Sequence, residues 1–319
     1  MNNKRKLSVL ILFVIIASLC YLLIDSKMYN MKLFMFVLKL RIPTLLAMLI
    51  SSFTIGSASI VFQSIINNRI VTPCLLGMNS MYLLIHTAIV FIAGSTSIVA
   101  TNTTLAFIID LIVMGVSATF VYWYLFKKTN HNILYVLLIG TVLSSFFGSI
   151  QSSLIRIMDP NEYDSLLTTL VADFNNINTE IIILGALILL VVAFSLRKEL
   201  KLLDVITLGK DQAINLGVDY DYVIRRLLLG VVLTITVATA MVGPISFLGL
   251  IIANLSRQYF KTYKHTYLII GSALMGMIAI IGGQVIMEHV FTFAVPISTF
   301  ILVAGGIYFL YLLVFKKGV

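Results

Sequence analysis

Charged residues are scarce in this chain of 319 residues. Lysine, arginine, aspartate and glutamate make up 11% of it, whereas hydrophobic residues make up 60%. A water-soluble domain carries about 25% charged residues. The mean hydropathy is +1.06, and apolar runs recur from Leu7 to Phe315. Because lipid forces backbone groups to pair internally and no even strand-like alternation occurs, we expect a single all-α polytopic membrane domain over residues 1–319.

Cysteine is almost absent as well, with only Cys20 and Cys74. Two cysteines inside apolar runs exclude a disulfide scaffold, and we expect both to be buried apolar side chains. The four histidines are scattered, with no histidine, cysteine and aspartate cluster at ligand spacing. This pattern argues against a structural metal site or a metalloprotease, so we expect neither metal nor cofactor.

Motifs for ATP binding and for catalysis are also missing. The sequence contains no GxxxxGK[ST] phosphate loop, no Gly-x-Ser-x-Gly elbow and no His-Glu-x-x-His. We therefore expect a transport or scaffold subunit rather than an enzyme. Any ATP that drives it must be hydrolysed by a partner chain.

Hydropathy instead predicts ten membrane spans. Their bounds are 7–24, 43–62, 74–93, 105–126, 132–152, 180–196, 227–243, 248–260, 267–288 and 296–315. With both termini in the cytoplasm, seventeen of the 22 lysines and arginines lie on the cytoplasmic side of the membrane and five on the external side. This distribution follows the positive-inside rule. Topology thus explains the net charge of +9 better than nucleic-acid binding does. Omitting 248–260 would put Lys316 and Lys317 outside, so charge favours ten spans over nine.

The longest charged interval covers residues 197–226. It holds eleven of the 35 formal charges and two short apolar runs, 202–208 and 211–216, each followed by a glycine. Neither run approaches the roughly 20 residues that cross a bilayer, and glycine commonly ends a helix in a left-handed conformation. We expect two short helices on the cytoplasmic membrane face, where another protein can push on them.

Two predicted external loops have unusual charge. Residues 25–41 carry four positive charges and one negative, which indicates either a basic ledge for an acidic partner or a loop tolerated because the first helix fixes the topology. Residues 153–180 carry five acids and one arginine. They can form a short helix over a pore mouth or a plain solvated loop.

Ionisable residues inside predicted spans are candidates for function because they are costly in lipid. Asp110 either lines an aqueous path or accepts hydrogen bonds from a neighbouring helix. His86 is either a relay group or a histidine satisfied by packing. Glu288 and His289 are expected in the wet interface. Gly243 and Pro244 interrupt an apolar run, which indicates a broken helix beside a translocation path or a simple external turn.

Five segments form an ordered set of short motifs along the chain. Arg41-Ile-Pro-Thr44 resembles RxPR, residues 63–77 resemble QxxxxNPLAxPxLLG, residues 206–218 resemble LxLGxxxAxxLGV, residues 243–250 resemble GPIGFVGL, and residues 295–313 resemble LPxGxxTxxxGxPxFxxLL. Taken together and in this order, they resemble the signature of the FecCD-type permeases. Each match alone is modest, but the ordered set covers nearly the whole chain. Two positions depart from the pattern: Thr44 replaces its second arginine, and Arg69 replaces the proline of NPLA.

The resemblance implies the membrane subunit of an ATP-binding-cassette importer of type II architecture, with ten helices. Its implied partners are cytoplasmic ATP-binding subunits, an extracellular substrate-binding protein and a second permease, either a sister chain or a second copy. The implied cargo is ferric siderophore, most like the catecholate or petrobactin branch. Three alternatives stay open: a haem or vitamin B12 permease of the same family, an ion-coupled secondary transporter with Asp110 and His86 as its proton path, and a non-transporting scaffold.

The resemblance also assigns roles within residues 197–226 and beyond. The residues expected to couple to the ATPase are Leu202, Leu203, Leu208, Gly209, Ala213, Leu216 and Gly217. Arg41 matches a family arginine that receives the binding protein, and we expect Lys39 and Lys32 to compensate for the missing second arginine. The path candidates, which include Asp110 from its place in a span, are Gln63, Asn68, Asp110, Gly243 and Pro244. The turn at residues 130–132 is expected near the cytoplasmic gate.

Overall fold

The computed structural model describes residues 2–24, 31–128, 133–167, 170–174, 177–292 and 295–315. Over these residues the chain forms fourteen α-helices and one 3-10 turn, Pro73–Leu76, and no strand. The helices are α1 Asn3–Leu23, α2 Met31–Ile66, α3 Met78–Ala93, α4 Ile98–Thr101, α5 Thr103–Lys128, α6 Ile133–Ile157, α7 Pro160–Leu167, α8 Thr179–Ser195, α9 Arg197–Ile206, α10 Lys210–Asn215, α11 Tyr220–Val242, α12 Leu248–Phe260, α13 His265–His289 and α14 Ile297–Phe315.

Each of the ten predicted spans corresponds to one helix, so the all-α polytopic class is confirmed. Six of these helices are long and apolar enough to cross a membrane, and a seventh span results if α8 and α9, which meet at 57°, are counted as one. α3 and the segment Ile297–Leu312 of α14 are shorter apolar helices. α12 has 13 residues, or about 20 Å of helix, against a hydrocarbon core of about 30 Å.

The second helix begins earlier than the sequence predicts. α2 starts at Met31 and runs for 36 residues with Pro43 inside it, so the prediction of a loop is wrong for residues 31–41, while residues 25–30 lie outside the described part. Proline lacks a backbone donor, which is why it marks helix starts. Here the preceding residues favour a helix, and a membrane helix accommodates the one lost bond. The resulting helix is about 54 Å long.

Two further expectations are resolved by the structure. The acidic segment after α6 contains the helix α7, so a short helix does form within residues 153–180, while its place over a pore mouth stays a prediction. Cys74 is buried as expected, but Cys20 is exposed on α1. The expectation for Cys20 is wrong because α1 buries only a narrow stripe of its surface, at Leu10, Val14 and Tyr21.

The packed centre of the bundle is formed by α2, which contacts α13, α11 and α12. Small residues let these helices approach closely. A Cβ atom on Gly56 of α2 would lie 2.9 Å from the backbone nitrogen of Ala273 in α13, a distance that only glycine allows. Ser272 of α13 donates a hydrogen bond to the Gly56 carbonyl across the same contact. α2 and α13 therefore form a rigid pair that spans the bundle.

The helix bundle has two ends. We call the end that carries Thr207, Arg257 and His265 the coupling end, and the end that carries Arg41 the far end. At the coupling end, Arg257, His265 and Thr207 line one cavity, and Lys6 of α1 donates to the carbonyl of Tyr259. At the far end, Arg41 joins α2 to the last turn of α1. The start of α1 and the segment 197–226 therefore lie at the same end, as the alternation of predicted spans requires.

Candidate functional site

The segment 197–226 contains the two short helices that its glycines predict. α9 and α10 are separated by Gly209, which has φ 108° and ψ 162°, and α10 is followed by Gly217 with φ 79°. Both backbone conformations favour glycine because side chains with a Cβ atom are strained there. The two glycines thus fix the angle at which α10 leaves α9 and returns to α11.

The residues expected to couple to an ATPase divide into two groups. Leu203 and Ala213 are fully buried against the bundle, and Leu202 is half-buried. The apolar side chains that point outward are Leu208 at 53% exposed, Ile214 at 50% and Leu216 at 63%. We call these three the apolar tip. Ile214 was not selected from sequence, although it lies between two selected residues on the same short helix.

The apolar tip is joined to the membrane helices by two polar links. Asp204 of α9 accepts a hydrogen bond of 2.9 Å from the backbone N–H of His265, at the start of α13, and its Oδ1 lies 2.5 Å from Nδ1 of that histidine. Glu199 of α9 forms an ion pair with Arg226 of α11 at 3.2 Å. These two contacts therefore connect α9 to α13 and to α11.

Two polar residues that the sequence singled out separately are partners. Nε2 of His86 on α3 lies 2.8 Å from Oδ2 of Asp110 on α5, and both side chains are buried. The ring of Tyr82 lies 4.3 Å from the His86 ring. Asp110 thus bonds to a neighbouring helix and also lines a cavity of about 330 Å³, while its place on an aqueous path stays a prediction. Its Oδ1 is buried and has no hydrogen-bond partner among the described residues.

The break between α11 and α12 forms part of the same cavity wall. Gly243 has φ 86°, and a Cβ atom there would lie 2.9 Å from Cα of Ala172. The backbone N–H of Asp173 donates to the carbonyl of Val242 at 3.0 Å, while Pro244 is half-buried. α11 alone is long enough to cross a membrane, and α12 returns from the break to the coupling end, so the broken-helix and external-turn interpretations both stay open.

The other two path candidates lie elsewhere. Gln63 is buried and donates from Nε2 to the Arg69 carbonyl at 2.9 Å. Asn68 accepts at Oδ1 from the backbone N–H of Ile70 at 2.8 Å. Both stabilise the turn that follows α2, and Gln63 lines a second cavity at the coupling end. The structure therefore does not bring them together with Asp110. The expected gate at residues 130–132 lies outside the described residues.

A row of hydroxyl groups on α6 was missed by the sequence prediction. Thr141, Ser145, Ser149 and Ser153 follow one another at every fourth position, and all four are exposed. Each donates to a backbone carbonyl of the preceding turn. Lipid offers such a row no further partners, whereas a water-filled path or a neighbouring subunit does. The four-residue spacing is the sequence signal that identifies this face.

The cations of the far end are not equivalent. Arg41 is 11% exposed, donates 2.5 Å hydrogen bonds to the carbonyls of Tyr21 and Ile24, and forms an ion pair with Glu288. Arg41 thus fastens α1, α2 and α13 together, and Glu288 is paired rather than simply wet. Lys32 and Lys39 are exposed on α2. Docking of a binding protein at this end stays a prediction, and among the described residues of α2 the exposed cations for it are the two lysines.

Substitution separates the fastening role of Arg41 from docking. Arg41→Ala leaves Glu288 unpaired and two carbonyls unsatisfied, so we expect a loss of about 2–4 kcal/mol of stability and a melting temperature several degrees lower in detergent. Lys39→Ala, the matched control, is expected to leave the melting temperature within one degree or so. A stable Arg41→Ala protein would refute the fastening role.

The comparisons with known proteins agree with this geometry. A model of the FecCD transport family matches residues 6–315. The petrobactin import system permease protein YclO of Bacillus subtilis (strain 168) is 40% identical over 98% of this chain and 98% of its own. The petrobactin import system permease protein FatC of Bacillus anthracis is 30% identical over 88% of this chain and 79% of its own. A solved structure described as an inward-facing conformation of a putative metal-chelate type ABC transporter has the same fold, with a TM-score of 0.83, 21% identity and coverage of 98% and 99% of the two chains.

Proposed function

Because this chain belongs to the FecCD transport family, we propose that it is the permease subunit of an ATP-binding-cassette importer that moves a ferric siderophore inward. The observation that carries the proposal is the segment 197–226, which presents an apolar tip outward and links it to two long helices. A permease without a phosphate loop needs such an attachment surface, since the energy comes from a separate ATPase. The two petrobactin permeases among its relatives support a petrobactin-type siderophore as cargo.

In this mechanism the ATPase binds the apolar tip from the cytoplasm. Closure of the ATPase dimer displaces α9, and the Asp204–His265 and Glu199–Arg226 links move α13 and α11. α11 ends at the Gly243 break, beside the cavity that contains Asp110. Movement at the tip is therefore transmitted along one helix to an irregular backbone segment inside the bundle, where such breaks adjust a transport path.

The same orientation supports positions for the remaining partners. The excess of lysine and arginine on one side in the predicted topology supports a cytoplasmic coupling end and cytoplasmic termini, with Lys316 and Lys317 lying outside the described residues. The far end, with Lys32 and Lys39, then receives an extracellular binding protein. The hydroxyl row of α6 faces the path or a second permease, either a sister chain or a second copy. The siderophore itself ligates the iron, so the permease needs no metal site for its cargo.

Co-purification tests the attachment of the ATPase. Replacing Leu208 and Leu216 with aspartate puts two charges where we propose that apolar side chains are buried on binding. We expect the ATPase to be lost from the complex isolated from membranes, a decrease of at least about 100-fold in affinity if each leucine contributes about 1.5–3 kcal/mol.

The matched control is Gln212→Asp, which adds a charge to an exposed position of α10, the short helix between the two leucines. We expect this variant to retain the ATPase. If the double variant retains it equally well, the apolar tip is not the attachment site.

A further inference from the structure

A second cavity of about 470 Å³ opens at the coupling end and is lined by three cationic side chains. Arg69 follows α2, Arg257 lies in the last turn of α12, and Lys261 follows that helix. Thr207 of the coupling segment and His265 of α13 also line it. The cavity therefore lies where four parts of the chain meet, next to the link between α9 and α13.

The positive charge of this cavity is not compensated by the described residues. No aspartate or glutamate among them lines the cavity, and none forms an ion pair with Arg69, Arg257 or Lys261. The nearby Asp204 is bonded to His265. Like charges that converge on one space repel each other, more strongly where water is partly excluded. An anion in the cavity removes that repulsion.

Unsatisfied polar atoms in the same place indicate what kind of anion fits. Arg257 donates from Nη2 to Ser64 at 2.9 Å, but its Nε is buried without a partner among the described residues. Gln63 is buried, its Nε2 is held by the Arg69 carbonyl, and its Oε1 likewise has no partner there. The cavity thus offers the cationic side chains of Arg69, Arg257 and Lys261 as donors for an oxyanion.

We propose that this cavity binds a phosphate group, with Arg69, Arg257 and Lys261 as its cationic ligands. Basic pockets between membrane helices accept phospholipid headgroups, and arginine binds phosphate oxygens through its planar fork. A bound phosphate joins the end of α12 to Thr207 and His265, and so stiffens the connection between the coupling segment and the bundle. Arg69 stands where the family signature has proline, so the site is a feature of this chain's sequence.

Lipid titration of the full-length purified chain tests this site. Phosphatidylglycerol is added to the chain in maltoside detergent, and bound lipid is counted by native mass spectrometry. Arg69→Gln combined with Lys261→Gln is expected to raise the dissociation constant roughly 30-fold, since a cation at a membrane surface contributes about 1 kcal/mol. Lys264→Gln, which removes a charge from the same connection outside the cavity, is expected to change it less than threefold.

The arms of the experiment distinguish the sources of the phosphate. If inorganic phosphate at millimolar concentration displaces the lipid, a free oxyanion also enters the site; if it does not, the ligand is the lipid headgroup, and both results support the proposal. Absence of binding to the unaltered chain, or equal losses in the double variant and in Lys264→Gln, would overturn it. If the double variant does not purify as a single species, the single variant Lys261→Gln is measured instead. Its dissociation constant for the lipid is expected to rise about fivefold.

Discussion

Replacing Gly209 with valine is expected to uncouple ATP hydrolysis from siderophore uptake. At φ 108° and ψ 162° a β-branched residue is strained by about 1–3 kcal/mol. A Cβ atom at Gly209 would meet no other atom within 4 Å, so the whole effect comes from the backbone. The strain is relieved when α10 leaves α9 at another angle, which moves the apolar tip. Uptake into proteoliposomes should fall by at least about tenfold if the misaligned tip loses about 1.4 kcal/mol of its interaction free energy with the ATPase.

Hydrolysis of ATP, measured in the same vesicles, should continue in this variant because the ATPase itself is unaltered. Gln212→Val is the matched control, since it places the same side chain at an exposed helical position of α10. We expect that variant to keep hydrolysis and uptake coupled. Normal uptake by the Gly209→Val protein would show that the angle between the two short helices does not transmit the motion.

The second large effect is expected at the buried His86–Asp110 pair. Asp110→Ala removes one partner and leaves a ring nitrogen of His86 buried and unsatisfied, which costs about 1–3 kcal/mol. The melting temperature of the purified chain in detergent should therefore fall by several degrees. Thr103→Ala, which alters another residue lining the same cavity, is the control and should change the melting temperature little.

Replacing both partners separates a structural role from a role in transport. Substitution of His86 and Asp110 together by leucine removes both polar groups, and such replacements of buried pairs are often neutral for stability. If the pair only stabilises the packing of α3 on α5, the double variant should recover both its melting temperature and its uptake. Recovery of stability with uptake still lost would assign the pair to the transport path. A melting temperature unaffected by Asp110→Ala would contradict the stabilising role.

Hydropathy alone predicts the helices of this protein well because lipid permits few other backbone structures. The ten helices found at the predicted spans and the two short helices between Arg197 and Gly217 follow from apolar run lengths and from glycine positions. The start of α2 does not follow from the sequence. Proline is expected at a helix start, but here the surrounding helices accommodate the one backbone hydrogen bond that Pro43 cannot make. The hydroxyl row of α6 could have been found from its spacing of four residues.

Partner choice is what the sequence could not reveal. His86 and Asp110 were each identified because a polar side chain is costly in lipid. A single sequence, however, does not show that these two residues, 24 positions apart on different helices, contact each other. Arg41 and Glu288 are 247 positions apart, and their pairing changes Arg41 from an open docking residue to one that fastens three helices. The uncompensated charge of Arg69 likewise becomes visible only when α12 brings Arg257 and Lys261 beside it.

The most direct test of the proposed function is uptake by the reconstituted importer. The chain is incorporated into proteoliposomes with its ATPase and a second permease, and the binding protein and labelled ferric petrobactin are added on the far-end side. We predict accumulation that requires both ATP and the binding protein, and no accumulation under a proton or sodium gradient alone. Accumulation driven by an ion gradient without ATPase would contradict the account and favour a secondary transporter.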